Sequence, residues 1–184
     1  MKFIKIIVAA ILLLCNSKSV SAQKNDSTLN KNRSYYVNLN IGYAGFGLAV
    51  SPGLIAQVSK KSVLGFSYQQ TIKSRIIGFS SVPENVNDAW SFYYGKIIKK
   101  DWGHFLIMAG PSYVKVTEYT YLLSTFSKSP DSEKHNSSFG IALQVGVVYA
   151  YKWIGGGVNL FANINGAYTY AGKTTGVTFG ESKL

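Results

Sequence analysis

His135, Asn136 and Ser137 are consecutive, and on an extended strand the first and third of them point to the same side. A histidine placed that way can take the proton of a serine hydroxyl and make it nucleophilic. A carboxylate then orients the imidazole. Glu118 or Glu133 could fill that third place. The chemistry would be hydrolysis of an ester or amide. Two features argue against it. His135 closes the polar run Ser-Lys-Ser-Pro-Asp-Ser-Glu-Lys-His-Asn, at or before any strand, and serine is common enough for chance to supply the spacing. The reading is therefore a non-enzyme whose only catalytic candidates are His135, Ser137 and Glu118.

Other chemistry is thinly provided. His104 opens an apolar stretch beside Trp102 and Gly103, which suits a structural place at an interface better than a metal ligand. With two histidines, one cysteine and no acidic cluster, the chain offers no metal site and calls for no cofactor. A formal charge of +11 would suit nucleic acid, but no nucleic-acid motif is present and the N-terminus reads as an export signal.

That signal spans residues 1–22. Lys2 and Lys5 form a basic start, Ile6 to Cys15 an apolar run too short to span as a helix, and Val20-Ser21-Ala22 a small-residue cleavage site. Removing it takes Lys2, Lys5, Lys18 and the only cysteine, lowers the charge to +8 and leaves no disulfide framework. Residues 23–34 read as a flexible periplasmic leader.

The elements that must position any site are strands. Tyr35 to Ala44 alternates large apolar residues (Tyr35, Val37, Leu39, Ile41, Tyr43) with polar or small ones for ten residues. Ordinary strands run five or six residues, whereas about ten cross a bilayer when tilted. Seven more candidates follow, at about 47–59, 62–72, 89–98, 104–116, 138–150, 157–166 and 174–184. A bulge or break is expected at Pro52-Gly53, and Pro111 should interrupt the fifth strand. The turns at Lys60-Lys61, Lys99 to Gly103 and Tyr151 to Gly156 are short. The connections over 73–88 and 117–137 read as long loops. Short turns on one side and long loops on the other is the arrangement of an outer-membrane barrel, with both termini in the periplasm. Tyr35, Tyr43, Trp90, Trp102, Tyr113, Tyr149, Trp153 and Tyr168 fall near strand ends, the level interfacial aromatics prefer.

From residue 35 onward the sequence resembles the small Gram-negative outer-membrane β-barrel proteins. The resemblance is carried by Tyr35–Tyr43, Phe139–Tyr149 and the closing Gly176-Val177-Thr178-Phe179-Gly180, with Leu184 in the place of the usual terminal aromatic. It implies an all-β fold, a single eight-stranded antiparallel up-and-down transmembrane barrel over residues 35–184, set in the cell outer membrane by the barrel-insertion machinery. A lipid A deacylase barrel is similar in size and uses a His and a Ser spaced as His135 and Ser137 are. A lipid A-modifying enzyme is therefore the first alternative, and a soluble periplasmic β-protein binding an apolar ligand the second.

In such a barrel Asn38, Asn40, Gln69, Gln144, Asn159, Asn163 and Asn165 would face the lumen, with Gly65, Gly95 and Gly146. Amides packed in a narrow barrel pair with one another and leave a filled plug rather than a channel. Lys73, Arg75, Lys128, Lys134 and Lys173 would lie in outer loops, where they could meet lipopolysaccharide phosphates. The expected role is structural or surface interaction, with membrane lipid as partner.

Overall fold

The computed structural model describes residues 35–45, 47–77, 80–121, 130, 132–151 and 153–180. The expected signal peptide and leader, Lys128 and Leu184 lie outside them.

Eight strands run in chain order: β1 (Tyr35–Ala44), β2 (Gly47–Gln57), β3 (Ser62–Ile77), β4 (Ser80–Lys100), β5 (Gly103–Thr120), β6 (Ser132–Tyr151), β7 (Ile154–Asn165) and β8 (Tyr170–Gly180). Each pairs antiparallel with the next, and β8 pairs with β1 to close the barrel. Closure removes the free edges that an open sheet would leave in lipid. Gly45, with φ of 57°, makes the reversal between β1 and β2, as its sequence position implies.

The strands are staggered. Paired residues lead from Tyr35 through Ala56, Leu64, Tyr94, Ala109, Leu143 and Ala162 to Ala171. The Ala171 carbonyl accepts from the amide of Gly45, so one circuit climbs β1 from Tyr35 to Gly45. A stagger of that kind tilts the strands by about 40° to the barrel axis.

Alternation along each strand divides inside from outside. On β1, Tyr36, Asn38, Asn40 and Ala44 are buried, while Tyr35, Leu39, Ile41 and Tyr43 are exposed. The outward set continues with Leu54, Leu64, Phe92, Ile107, Ile141, Leu143, Leu160 and Val177. Left in water, such a surface would far exceed the few hundred Å² of apolar patch a soluble monomer tolerates. Aromatics border it. Tyr68, Trp90, Tyr113 and Phe139 form a row of ring contacts across β3 to β6 toward the loop end. Trp102 packs on Phe105 and Tyr149 at the turn end, where Trp153 also stacks on Phe179. From Phe139 to Tyr149 is about 33 Å of strand. Tilted, that is about 25 Å of height, the thickness of an outer-membrane apolar band.

Three expectations are met only in part. Pro52 makes no bulge, because β2 keeps one register with β1 throughout, but it does bring a break: the ladder to β3 skips Ser51 and Pro52. Pro111 interrupts β5 on one side only: the ladder to β4 skips Gly110 and Pro111, while pairing with β6 is unbroken. The stretch 73–88 is mostly strand and 117–137 is strand at both its ends, with 122–129 and 131 outside the described residues: β3 and β4 pair out to Ile77 and Ser80, and β5 and β6 out to Thr120 and Ser132. Beyond the apolar band both faces meet water, so alternation disappears while pairing persists. One irregularity, between Lys73 and Ser74, takes up Glu84 opposite, and the two charged residues pair at 3.0 Å. Four strands thus project past the rim set by β1, β2, β7 and β8.

Candidate functional site

The barrel interior is layered. At the turn end Tyr36, Ile55, Val63, Ile97, Leu106, Met108 and Val148 belong to one buried apolar cluster. At the loop end Ala44, Ala49, Ala89, Val114, Val116 and Tyr170 form another, against which Phe161 and Tyr168 pack. Amides and hydroxyls lie between. Asn159 donates from Nδ2 to Asn40 Oδ1 at 3.2 Å and accepts from Gln144 Nε2 at 3.2 Å. Asn40 donates to the Ser51 carbonyl at 3.4 Å. One chain of bonds therefore joins β6, β7, β1 and β2. Nearer the loop end, Asn163 Oδ1 accepts from Ser112 at 3.0 Å and from Asn165 at 3.1 Å. Gly146 makes room for this layer, since a Cβ there would come within 2.1 Å of Asn159 Oδ1.

The interior is filled, as expected, but the amides and glycines share it with apolar side chains. Valine, alanine and methionine on inward positions close both ends. Two cavities flank Asn38, each about 10 Å³. That is room for one water, far below the about 300 Å³ of a small-molecule pocket.

The expected interior residues are placed as follows. Asn38, Asn40, Gln69, Gln144, Asn159 and Asn163 are buried on the inward parity of their strands. Asn165 does other work. Its Oδ1 accepts from the amides of Ala167 and Tyr168, and its Nδ2 donates to the Tyr168 carbonyl, so it builds the β7–β8 turn. Tyr168, expected at the lipid interface, stacks on Tyr170 against the interior cluster. His104 is also interior, with its ring edge-on to Tyr36 at 5.8 Å.

The catalytic candidates are only partly brought together. Glu133, His135 and Ser137 share one face of β6, whereas Glu118 lies on the opposite face of its strand. His135 Nδ1 is 3.1 Å from Thr117 Oγ1, and its Nε2 is 3.8 Å from Glu133 Oε2. Nδ1 is engaged by Thr117 and Nε2 faces Glu133, so neither nitrogen is turned to Ser137. Thr117 was invisible to sequence reasoning because the fifth strand was expected to stop at 116. Thr117 is buried, with Val86 and His135 as its cross-strand partners. Near this group, burial and then the Glu133 carboxylate push the Tyr119 hydroxyl up from its ordinary value.

The basic residues also divide. Lys73 and Lys134 sit on strands, on the inward parity, and Lys73 is paired with Glu84. Arg75 is on β3 rather than in a loop. Lys173 faces outward on β8 beside Tyr43. Lys115 is an outward cation that the sequence reading missed, next to Asp88 and Ser137 on neighbouring strands. Its signal was the alternation Tyr113-Lys115, obscured because β5 is apolar on both faces.

No protein-family model matches the sequence, and no curated protein does. Solved structures match in fold. The N-terminal β-barrel domain of Pseudomonas aeruginosa OprF is similar with a TM-score of 0.60 at 12% identity, covering 80% of this chain and 96% of that one. The attachment invasion locus protein Ail of Yersinia pestis gives 0.55 at 9% identity, over 80% and 97%. Ail in complex with the heparin analogue sucrose octasulfate gives 0.55 at 8%, over 80% and 97%. The chain has the fold of the small outer-membrane β-barrels.

Proposed function

We propose that this protein is an exported outer-membrane barrel with a structural or surface-interaction role. It would act through its outer surface and projecting strands, not through its lumen. The observation that carries the reading is the combination of an outward apolar band with an interior closed by apolar clusters at both ends. A barrel so filled is a membrane anchor for what it holds above the bilayer, and here that is the sheet extension of β3 to β6. Its biogenesis would use a cleaved signal peptide and the barrel-insertion machinery.

The partner that fits the outer rim is lipopolysaccharide. Lys115 and Lys173 point outward near the loop-side aromatics, where charged lipid phosphates lie. Lys73 and Lys134, on the inward parity, are poorly placed for it. The Ail complex supports the idea that a barrel of this size can present an anionic sugar site. The test is to fold the chain in detergent, add lipopolysaccharide, and measure what is retained after exchange. Lys115→Gln/Lys173→Gln should retain several-fold less. Equal retention would remove the assignment.

A further inference from the structure

At the turn end the described residues carry Lys60, Lys61, Lys96, Lys99 and Lys100 against one acid, Asp101. The loop-side rim differs, because three of its cations stand beside acids: Lys73 with Glu84, Lys115 with Asp88 and His135 with Glu133.

The fold gathers these lysines from two elements. The Lys61 carbonyl accepts from the Ile97 amide at 3.0 Å, and Ser62 pairs with Lys96, so the β2–β3 turn is fastened to β4. The turn is also held from within. Gln57 Nε2 donates to the carbonyls of Ser59 and Lys60, and Ser59 Oγ accepts from the amides of Lys61 and Ser62. Lys96 and Lys100 share the outward parity of β4 with Phe92, Tyr94 and Ile98. The Tyr94 hydroxyl donates to Ser62 Oγ at 3.3 Å, which marks where apolar surface gives way to polar groups.

We infer that Lys60, Lys61, Lys96 and Lys100 form a collar that binds the phosphates of anionic phospholipid headgroups in the turn-side leaflet, an assignment that rests on the membrane-spanning reading. Lysine stems lie along apolar surface while their ammonium groups reach the headgroup layer. Near a membrane surface each adds attraction to anionic lipid. A cell-wall partner fits less well, because Lys96 and Lys100 leave the strand on the same side as Phe92 and Tyr94, toward hydrocarbon.

The experiment folds the full chain into nanodiscs of equal phosphatidylglycerol and phosphatidylcholine with identical acyl chains. Detergent releases it, and native mass spectrometry counts retained lipid. Wild type should keep phosphatidylglycerol in excess. Lys60→Gln/Lys61→Gln/Lys96→Gln/Lys100→Gln should lower that excess roughly tenfold. Lys60→Gln/Lys61→Gln, which leaves the strands untouched, should lower it part-way, and Lys134→Gln, at the loop end on the inward parity of β6, should keep it. Equal retention of both lipids by wild type overturns the collar, as does an excess that survives the quadruple change. Binding to peptidoglycan sacculi that is lost in that variant, without any lipid preference, overturns it in favour of the cell wall. Failure of the wild-type chain to enter the nanodisc takes down the barrel reading as well, whereas insertion without preference removes the collar alone.

Discussion

Asn159 on β7 donates its side-chain amide to Asn40 on β1 at 3.2 Å, across 119 positions of sequence and past the intervening strand β8. The bond does locally what the β1–β8 ladder does along the whole seam: it holds the last strands of the chain to the first. It lies between two apolar clusters, in a low-dielectric interior where an unmade hydrogen bond costs most.

Replacing Asn159 with Leu keeps the branching at Cγ but leaves Asn40 Oδ1 and Gln144 Nε2 without their partner. The variant should lose about 2 kcal/mol of stability. The urea midpoint of the barrel folded in lipid vesicles measures this. Asn40→Leu/Asn159→Leu should cost less than its two single changes added, because each single change already breaks the same bond. Strict additivity would mean that the bond carries no energy.

The clusters at the two ends predict an electrically silent barrel. Protein inserted in planar bilayers should give no stable conductance steps. Steady opening by the wild type would contradict the packing of Ile97, Leu106 and Val148 at one end and of Val114, Val116 and Tyr170 at the other.

His135 turns its ring nitrogens to Thr117 and Glu133. His135→Ala and Ser137→Ala should therefore leave the lipid A acylation pattern unchanged in cells that make the protein. Mass spectrometry of extracted lipid A checks it. An acyl group that returns only when either residue is replaced would reinstate the hydrolase reading.

The strands were legible wherever one face meets hydrocarbon, because alternation needs two unlike environments. β1 is the clearest instance, with Leu39 and Ile41 outside and Asn38 and Asn40 inside. Above the apolar band Val82 to Asp88 lost the signal, and turn-forming residues such as Pro83 and Asn85 imitated a loop. β5 hid its interior because Leu106, Met108 and Val114 point inward while Ile107 and Tyr113 point outward, so both faces are apolar. Asn165 resembled its lumen neighbours in type, and only the hydrogen bonds of the turn separate it from them. The pairing of His135 with Thr117 depends on cross-strand register, which composition does not carry.

The short Lys60-Lys61 turn and the Gly166-Ala167 turn lie at opposite ends of the barrel, because odd and even strands run in opposite directions. If the termini are periplasmic, a short epitope inserted between Gly166 and Ala167 should bind antibody on intact cells. The same epitope between Lys60 and Lys61 should bind only after the outer membrane is opened. Insertion within Lys73–Ile77, expected to be harmless in a loop, should instead lower the yield of folded protein, because those residues are laddered to β4. Labelling at Lys60-Lys61 but not at Gly166-Ala167 on intact cells would reverse the barrel in its membrane, and with it the assignment of lipopolysaccharide to the end bearing Lys115.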